Sequence, residues 1–235
     1  MASSSLGMTW LGHGTCLFRS PGGKRLLVDP WLKTNPSCPP AWHQPTDVDA
    51  VLITHGHSDH IEDAAAVARA TNADVLANFE IVNWLAKKGV KNGRPMNKGG
   101  TQVVGDVRVT MVDALHSSSY EENGVNHYLG EAAGFVLRFD TGPTLYFAGD
   151  TAVFGDMRLI ADLYAPQIAC LPIGDLFTMG PEEAAFACDM LRVKQVLPVH
   201  WGTFPALTGK PDALRALVAA KGVQVLDLKP GETAE

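Results

Sequence analysis

Two kinds of hydrophobic pattern divide the chain and together predict a mixed α/β protein. The run DAVLI, Asp49–Ile53, is continuous and apolar, which is typical of a strand buried on both faces. The stretch VRVTMVD, which begins at Val107, alternates apolar and polar residues as a half-buried strand does. Helices are predicted for five segments between such runs: Ile61–Ala70, Phe79–Lys88, Asp156–Tyr164, Pro181–Leu191 and Pro211–Lys221. Strands and helices therefore alternate along most of the sequence.

The length of the chain and the absence of a linker predict one domain over residues 1–235. Two irregular stretches, Pro30–Pro45 and Ser117–Glu131, are predicted to be long loops that either border a site or pack on the surface. Both carry aromatic side chains that a purely solvated loop would not need: Trp31, Trp42, Tyr120 and Tyr128. If these rings line a pocket, Trp42→Ala should alter substrate preference.

Polar residues crowd the end of the first apolar run, in the segment HGHSDH. A solvated turn is the ordinary alternative, but histidine and aspartate are good ligands for divalent metals, and α/β folds place their chemistry at strand ends. Period-two alternation orients His55 and His57 alike, and Asp59 with His60 then arrives at the start of a helix. One ion takes about four ligands, so two ligand pairs on one loop suggest two adjacent ions.

The spacing H-x-H-x-D-H resembles the signature of the metallo-β-lactamase superfamily. That resemblance implies a four-layered αββα sandwich of two similar halves, with metal ligands along the edge where the two sheets meet. It also implies three later ligands at strand ends, for which the candidates are His116 in VDALHSSS, Asp150 in YFAGDTA and His200 in LPVHWGT. By the resemblance, one ion is held by His55, His57 and His116, the other by Asp59, His60 and His200, and Asp150 bridges them.

Longer segments sharpen the resemblance. Six segments resemble the small metal-dependent hydrolases that sit beside the ascorbate-phosphate lactonases in the superfamily: WLGHGTCLF, LLVDPW, GEAAGFVLRF, LYFAGDTAVFGDM, LPIGDLFTMGPEEAA and PVHWGTFPALTG. They are spread from about Trp10 to Gly209, so the resemblance covers nearly the whole chain. Asp175 departs from the pattern, because those relatives usually carry a small residue there. This departure concerns the substrate pocket rather than the metal site.

The implied metal centre predicts hydrolysis of a small molecule. Two adjacent divalent ions can share a water and lower its pKa from about 15.7 toward 7, which makes hydroxide available at neutral pH. We expect this bridging hydroxide to cleave an ester, lactone or phosphodiester bond while the ions stabilise the charge that develops. Histidine and carboxylate ligands fit zinc or manganese, and nickel and iron are left open. The substrate itself is not specified by these motifs.

Asp59 and His13 are the candidate catalytic residues. His13, in WLGHGT, would either give the leaving group its proton or hold a metal ligand in place, and its flanking glycines allow close backbone approach. His127 lies in a polar segment that could border the pocket, although a solvated loop histidine is the commoner case. His43 is assigned to the surface.

Several alternatives can be compared with this hypothesis. A non-catalytic metal-binding module would need closed sites, whereas seven nitrogen and oxygen ligands shared by two ions leave positions for water. Flavodiiron-type redox proteins of the superfamily carry a glutamate where His57 stands. A nuclease or phosphodiesterase of the same superfamily is a further alternative, but its processing nucleases usually carry an additional nucleic-acid-binding insertion for which this chain has no room.

Composition and charge limit partners and location. The formal net charge is −6 and no basic cluster occurs, so nucleic acid is not an expected partner. No run approaches the roughly 18 apolar residues of a membrane span, and the start MASSSLGMTW lacks the pattern of a secretory leader, so a cytoplasmic protein is expected. A homo-oligomer is left open. The four cysteines lack C-x-x-C spacing and are expected to be free thiols: Cys16, Cys38, Cys170 and Cys188.

Overall fold

The computed structural model describes residues 5–235. Its strands in chain order are β1 (Gly7–Trp10), β2 (Cys16–Arg19), β3 (Arg25–Val28), β4 (Ala50–Leu52), β5 (Asp74–Asn78), β6 (Gly93–Met96), β7 (Thr101–Val104), β8 (Val107–Asp113), β9 (Ser119–Glu122), β10 (Val125–Tyr128), β11 (Ala133–Phe139), β12 (Thr144–Phe147), β13 (Ile168–Pro172), β14 (Gln195–Val199), β15 (Gln224–Val225) and β16 (Thr233–Ala234). The helices are α1 (Ser58–Ile61), α2 (Ala64–Thr71), α3 (Phe79–Lys87), α4 (Met157–Tyr164), α5 (Pro181–Leu191) and α6 (Pro211–Val218), and short 3-10 turns span Pro40–Trp42 and Ala219–Lys221.

The strands form two large sheets with the same plan. The first sheet has the order β16-β1-β2-β3-β4-β5-β6, and the second has the order β15-β14-β13-β12-β11-β8-β7. In each, an antiparallel group leads into parallel strands: β1 to β3 pair antiparallel and β3 to β6 parallel, while β7, β8, β11 and β12 pair antiparallel and β12 to β15 parallel. Helices join the parallel strands except β3 and β4, whose connection contains only the turn Pro40–Trp42. The chain therefore repeats one arrangement in its two halves.

Three apolar clusters separate the layers. The first, which includes Phe18, Leu52, Phe135 and Phe147, takes residues from both sheets and lies between them. The second joins the outer face of the first sheet to α2 and α3, and the third joins the second sheet to α4, α5 and α6. This order of helices, sheet, sheet and helices confirms the predicted α/β class and the four-layered αββα sandwich.

Four of the five predicted helices agree closely with the structure, and α5 begins and ends at the predicted residues. The helix predicted for Ile61–Ala70 is wrong in its bounds, because α1 begins earlier and a break separates it from α2. Asp63 explains the break: its N–H donates to Pro30 O at 2.9 Å, and its carboxylate accepts from the N–H of Leu32 at 2.7 Å. These bonds to a distant segment replace the helical ladder at that point.

Among the residues that the structure describes, no helix is both long and apolar enough to cross a membrane. All four cysteines are buried free thiols, as the sequence predicted.

Candidate metal centre

The seven predicted ligands lie at strand ends of both sheets and come together in space. His55, His57, Asp59 and His60 follow β4 of the first sheet, whereas His116, Asp150 and His200 follow β8, β12 and β14 of the second sheet. Their meeting point is one carboxylate oxygen, Asp150 Oδ2. It lies 3.0 Å from His200 Nε2, 3.3 Å from His60 Nε2, 3.8 Å from His116 Nε2 and 4.0 Å from His55 Nε2.

Most of the other side chains divide into two groups near this carboxylate. One group is His55, His57 and His116, and the other is His13, Asp59, His60 and His200; within each group the potential ligand atoms lie within 4.8 Å of one another. A third group, Asp29, His55 and His60, connects the two. The division matches the two ligand sets that the resemblance implied, with His13 added to the second. Asp150 is close to members of both groups, as a bridging carboxylate would be.

His13 is held in a turn between β1 and β2 by contacts from both halves. Its backbone is in the left-handed region, with φ of 53°, and its carbonyl accepts from Trp10 Nε1 at 2.8 Å and from the N–H of His200 at 2.9 Å. Its ring Nε2 lies 2.8 Å from Asp59 Oδ2, and its Nδ1 lies 2.9 Å from Thr203 Oγ1. Because a carboxylate only accepts, Nε2 carries the proton and Nδ1 accepts from the hydroxyl.

This geometry favours one of the two roles that the sequence left open for His13. Burial lowers the pKa of His13 to about 4, although its bond to Asp59 opposes the shift. The ring is therefore neutral near pH 7, and its only N–H is used to orient Asp59. His13 is placed to hold a ligand rather than to reach a leaving group.

Asp29 belongs to the site and was missed by the sequence analysis. It follows β3 in LLVDPW, is fully buried, and accepts from Thr54 N at 2.8 Å, from Thr54 Oγ1 at 2.6 Å and from His60 Nδ1 at 2.8 Å. The bond to Nδ1 directs His60 Nε2 toward Asp150. An acidic residue directly after a buried strand is the signal that could have identified it, since the predicted ligands occupy equivalent positions.

Burial and the nearby carboxylates shift the pKa values of the histidines in opposite directions. Burial alone would lower the pKa of His200, but Asp150 raises it to about 9, and the pKa of His60 is likewise raised by Asp150, Asp59 and Asp29. The histidines around Asp150 hold its pKa well below the usual range despite burial. Burial lowers the pKa of the three rings on the other side, His55, His57 and His116, so these are neutral and able to act as ligands.

The donors present fit a metal cluster. His60 Nε2 is buried without a hydrogen-bond partner, although it lies 3.3 Å from a carboxylate oxygen, and a buried nitrogen is rarely left in this state. Imidazole nitrogens and carboxylate oxygens around it form a ligand set suited to divalent ions such as zinc, manganese, nickel and iron. A cation at this point would satisfy the unpaired nitrogen and neutralise the buried carboxylates.

Glycines allow the loops to approach the rings. A Cβ on Gly14 would lie 2.6 Å from His60 Cε1, and a Cβ on Gly174 would lie 2.1 Å from the carbonyl oxygen of His200. Neither position has room for a side chain, so both loops are in direct contact with the candidate ligands.

The two irregular stretches contribute unequally. The ring of Trp31 lies 5.1 Å from that of His13, and Ser117 Oγ lies 3.4 Å from His57 Nε2, so one end of each stretch reaches the centre. The expectation that Trp42 lines the same pocket is wrong: it packs over β1 and β2, in a cavity lined by Thr9, Leu17 and Arg25 that contains none of the candidate ligands.

Within Ser117–Glu131, β9 and β10 form a hairpin in which His127 pairs with Tyr120. Tyr120 packs on Trp84 with a centroid distance of 4.8 Å and donates a hydrogen bond to Glu62. In the part of the chain that the structure describes, neither the ring of His127 nor that of His43 belongs to the groups around Asp150. Both histidines are therefore left out of the candidate centre.

Comparison with known proteins assigns the family. Residues 24–201 match the family model of the beta-lactamase superfamily domain. The chain belongs to this superfamily.

Within the superfamily, the chain is 50% identical over 228 residues to a UPF0173 metal-dependent hydrolase of Solibacter usitatus, covering 97% of this chain and 99% of that protein. A UPF0173 metal-dependent hydrolase of Koribacter versatilis is also 50% identical, over 233 residues and 99% of each chain. Among solved structures, Igni18, a metallo hydrolase from the archaeon Ignicoccus hospitalis, is 32% identical with a TM-score of 0.85 and 97% coverage of both chains. The protein is a metal-dependent hydrolase of the superfamily, with histidine and aspartate clusters able to bind metal.

Proposed function

We propose that the protein holds two divalent ions and hydrolyses an ester, lactone or phosphodiester bond of a small molecule. One observation carries this proposal: a single oxygen, Asp150 Oδ2, lies within 4.0 Å of ring nitrogens from four histidines that come from both ligand groups. A carboxylate can contact two cations at once and reduce their repulsion, which an imidazole cannot do. Two groups around one carboxylate therefore support a pair of ions rather than one.

The ligand assignment follows the groups. His55, His57 and His116 would hold one ion, Asp59, His60 and His200 would hold the other, and Asp150 would touch both. Zinc and manganese are the ions we propose first, because nitrogen-rich ligand sets with carboxylates suit both, and nickel or iron could occupy the same donors. When bound, such ions supply an activated water and a Lewis acid that polarises the substrate.

The chain's own residues prepare this chemistry by fixing the ligands. Asp29 accepts a hydrogen bond from the Nδ1–H of His60. His13 donates from Nε2 to Asp59 Oδ2, and Thr203 donates to Nδ1, the other ring nitrogen of His13. Such bonds fix the orientation of ligand side chains and make the ligands more basic. We therefore propose Asp59 as a ligand at the reacting centre and His13 as a positioning residue.

The alternative of a non-catalytic metal-binding module is less well supported. Structural zinc sites are usually closed by four ligands and rich in cysteine, whereas the four cysteines of this chain lie in none of the candidate groups among the described residues. Because ligands come from both halves of the chain, we also propose that residues 1–235 act as one catalytic domain. Lactones are the first substrate class we propose, because the segments quoted above resemble small metal-dependent hydrolases that sit beside the ascorbate-phosphate lactonases in the superfamily.

The test is a metal titration combined with a substrate screen. Metal-free protein is titrated with zinc or manganese by calorimetry, and lactones, carboxylic esters and phosphodiesters are then supplied to the loaded protein. We expect two equivalents of metal for the native chain and fewer for Asp150→Asn, whereas Asp106→Asn, which alters a half-buried carboxylate that accepts from Ser20 Oγ outside the candidate ligand groups, should keep both. One equivalent in the native chain would overturn the binuclear proposal, and no turnover of any class by the loaded protein would overturn the hydrolase assignment proposed for this site.

A further inference from the structure

The loops that carry the candidate ligands also carry exposed apolar side chains. Four of them form what we call the apolar rim: Leu115, Leu176, Phe177 and Phe204, which are 60%, 64%, 62% and 42% exposed. Large apolar side chains scattered singly on a surface are ordinary, but four on the loops of one site are not. The rim therefore requires an explanation in terms of what the site binds.

Backbone contacts tie each member of the rim to the centre. Leu115 directly precedes His116, and its N–H donates to Thr151 Oγ1 at 3.0 Å, next to Asp150. The loop of Leu176 and Phe177 is anchored by the N–H of Met179, which donates to Thr151 O at 3.1 Å. The ring of Phe204 lies 5.8 Å from that of His13. All four residues therefore sit on loops that carry or contact the candidate ligands: Leu115 next to His116, Leu176 and Phe177 on one loop bound to Thr151, and Phe204 beside His13.

Asp175 holds the loop that presents Leu176 and Phe177. Both Asp175 and Leu176 have positive φ, 66° and 58°, which is uncommon for residues other than glycine. Asp175 Oδ1 accepts from the N–H of Leu176 at 2.7 Å, and Asp175 O accepts from the N–H of Phe177 at 2.6 Å. Asp175, where the small metal-dependent hydrolases that this chain resembles usually carry a small residue, is thus the residue that stabilises this part of the rim.

Cations are nearly absent from the same loops. Residues 11–15, 53–60, 114–118, 149–154, 173–180 and 200–210 contain one lysine, Lys210, and no arginine. Lys210 lines a groove of about 640 Å³ together with Thr203, Phe204, Pro205 and Leu207. Proteins usually bind phosphate groups with arginine, lysine or backbone N–H groups at helix N-termini. A substrate with several phosphate oxygens would find few such partners here.

We propose that the substrate is a carboxylic ester or lactone with an apolar acyl chain that lies on the apolar rim. This inference rests on the proposed function and narrows it. Hydrolysis consumes one water: its oxygen forms a bond to the acyl carbon, the bond from that carbon to the ester oxygen breaks, the released oxygen takes one proton of the water, and the other proton is released to solvent. The products are a carboxylate and an alcohol, which are one molecule when the substrate is a lactone.

The kinetic test uses a chain-length series on the metal-loaded protein. The substrates are p-nitrophenyl esters of acetate, butyrate, hexanoate and octanoate, with bis(p-nitrophenyl) phosphate as the competing class. We expect kcat/KM to rise by up to about fourfold for each added methylene, the factor for full burial of one such group, mainly through a lower KM. Equal rates across the series, or a preference for the phosphodiester, would overturn the proposal.

Variants distinguish the rim from general surface hydrophobicity. Phe177→Ser and Leu176→Ser should flatten the dependence on chain length, so that the loss of kcat/KM relative to the native chain grows from the acetate to the octanoate ester. The matched control is Leu163→Ser, because Leu163 is 70% exposed but lies on α4, outside the ligand loops. If the control flattens the dependence as much as the rim variants do, the rim is not the binding surface.

A binding measurement separates this inference from the proposed hydrolysis. Butyrate, hexanoate and octanoate, which are products of the series, are titrated into zinc-loaded protein by calorimetry. Affinity that rises with chain length in the native chain, and does not rise in Phe177→Ser, supports the rim even if no ester is hydrolysed. Affinity that is independent of chain length overturns the rim even if esters are hydrolysed.

Discussion

Replacing Asp29 by asparagine tests whether a buried carboxylate prepares His60 to bind metal. Asp29 accepts three hydrogen bonds, two from Thr54 and one from His60 Nδ1, and no part of it is exposed. An amide has one accepting oxygen and one donating nitrogen. If the –NH2 group takes the place of Oδ1, it faces the N–H of Thr54, which is also a donor. If it takes the place of Oδ2, it faces the Nδ1–H of His60, unless His60 changes tautomer and carries its proton on Nε2, the atom that faces Asp150.

The expected effect has two parts. A buried donor left without its acceptor costs about 1–3 kcal/mol, so the metal-free variant should lose about that much free energy of unfolding. Metal binding requires the proton on Nε2 to leave, and Asp29 favours the neutral form that keeps its proton on Nδ1. In the variant the remaining proton can stay on Nε2, and that part of the population cannot bind metal through this atom. Loss of a residue that orients a ligand typically weakens metal affinity about 10- to 100-fold, and we expect a loss in this range.

Two assays measure these parts separately. Competition with a chromophoric chelator gives the zinc affinity at neutral pH, and urea denaturation of metal-free protein gives the free energy of unfolding. Asp49→Asn is the control, because Asp49 also accepts a backbone N–H, from Arg25 at 2.8 Å, but lies at the opposite end of β4. Zinc affinity of Asp29→Asn within about twofold of the native value would refute the argument that this carboxylate fixes the tautomer of His60.

Four further predictions concern the same centre. Asp150→Asn should remove more activity than His13→Ala, because Asp150 contacts both groups and His13 orients one carboxylate; equal kcat/KM losses at equal metal content would contradict these roles. Zinc binding near neutral pH should release protons, since the pKa of about 9 leaves His200 protonated in metal-free protein. Calorimetry in buffers of different ionisation enthalpy measures this release, and a value of zero would refute it. The raised pKa also stabilises the metal-free fold fully below pH 6.5, and this contribution is lost as pH rises through about 9, so the urea midpoint should fall over that window. Gly174→Ala should lower Tm strongly, because its Cβ would lie 2.1 Å from a backbone oxygen, while Gly155→Ala, with open space around its Cβ, should change Tm little; similar losses would contradict the steric argument.

The sequence predicted correctly those elements that are determined by residues close together in the chain. The bounds of α5 follow from a proline at its first position and from the length of its helical segment. The ligand loop after β4 stands out because four metal-binding side chains occur within six residues. The later candidates were found because each is a metal-binding residue at the end of an apolar run, in the order that the resemblance implied.

The errors share a different cause, which is contact between segments distant in sequence. Asp29 sits in an ordinary strand-to-loop sequence, and only the folded chain places it against His60, 31 residues away. The break after α1 depends on a bond from Asp63 to the carbonyl of Pro30. Trp42 is an aromatic residue in a loop, and the path of that loop carries it over β1 and β2 instead of the site. No local pattern contains these contacts.

Because the candidate ligands come from both halves of the chain, the supply of metal should affect how long the folded protein survives in the cell. An ion that binds only the folded state stabilises it by about 2.7 kcal/mol when its free concentration is a hundred times its Kd. Withdrawal of the metal would therefore increase the population in which the two halves have separated by about a hundredfold, and proteases act on such open forms. A cell short of the right ion would lose this protein by degradation as well as losing its activity, so its abundance would follow the metal content of the cell.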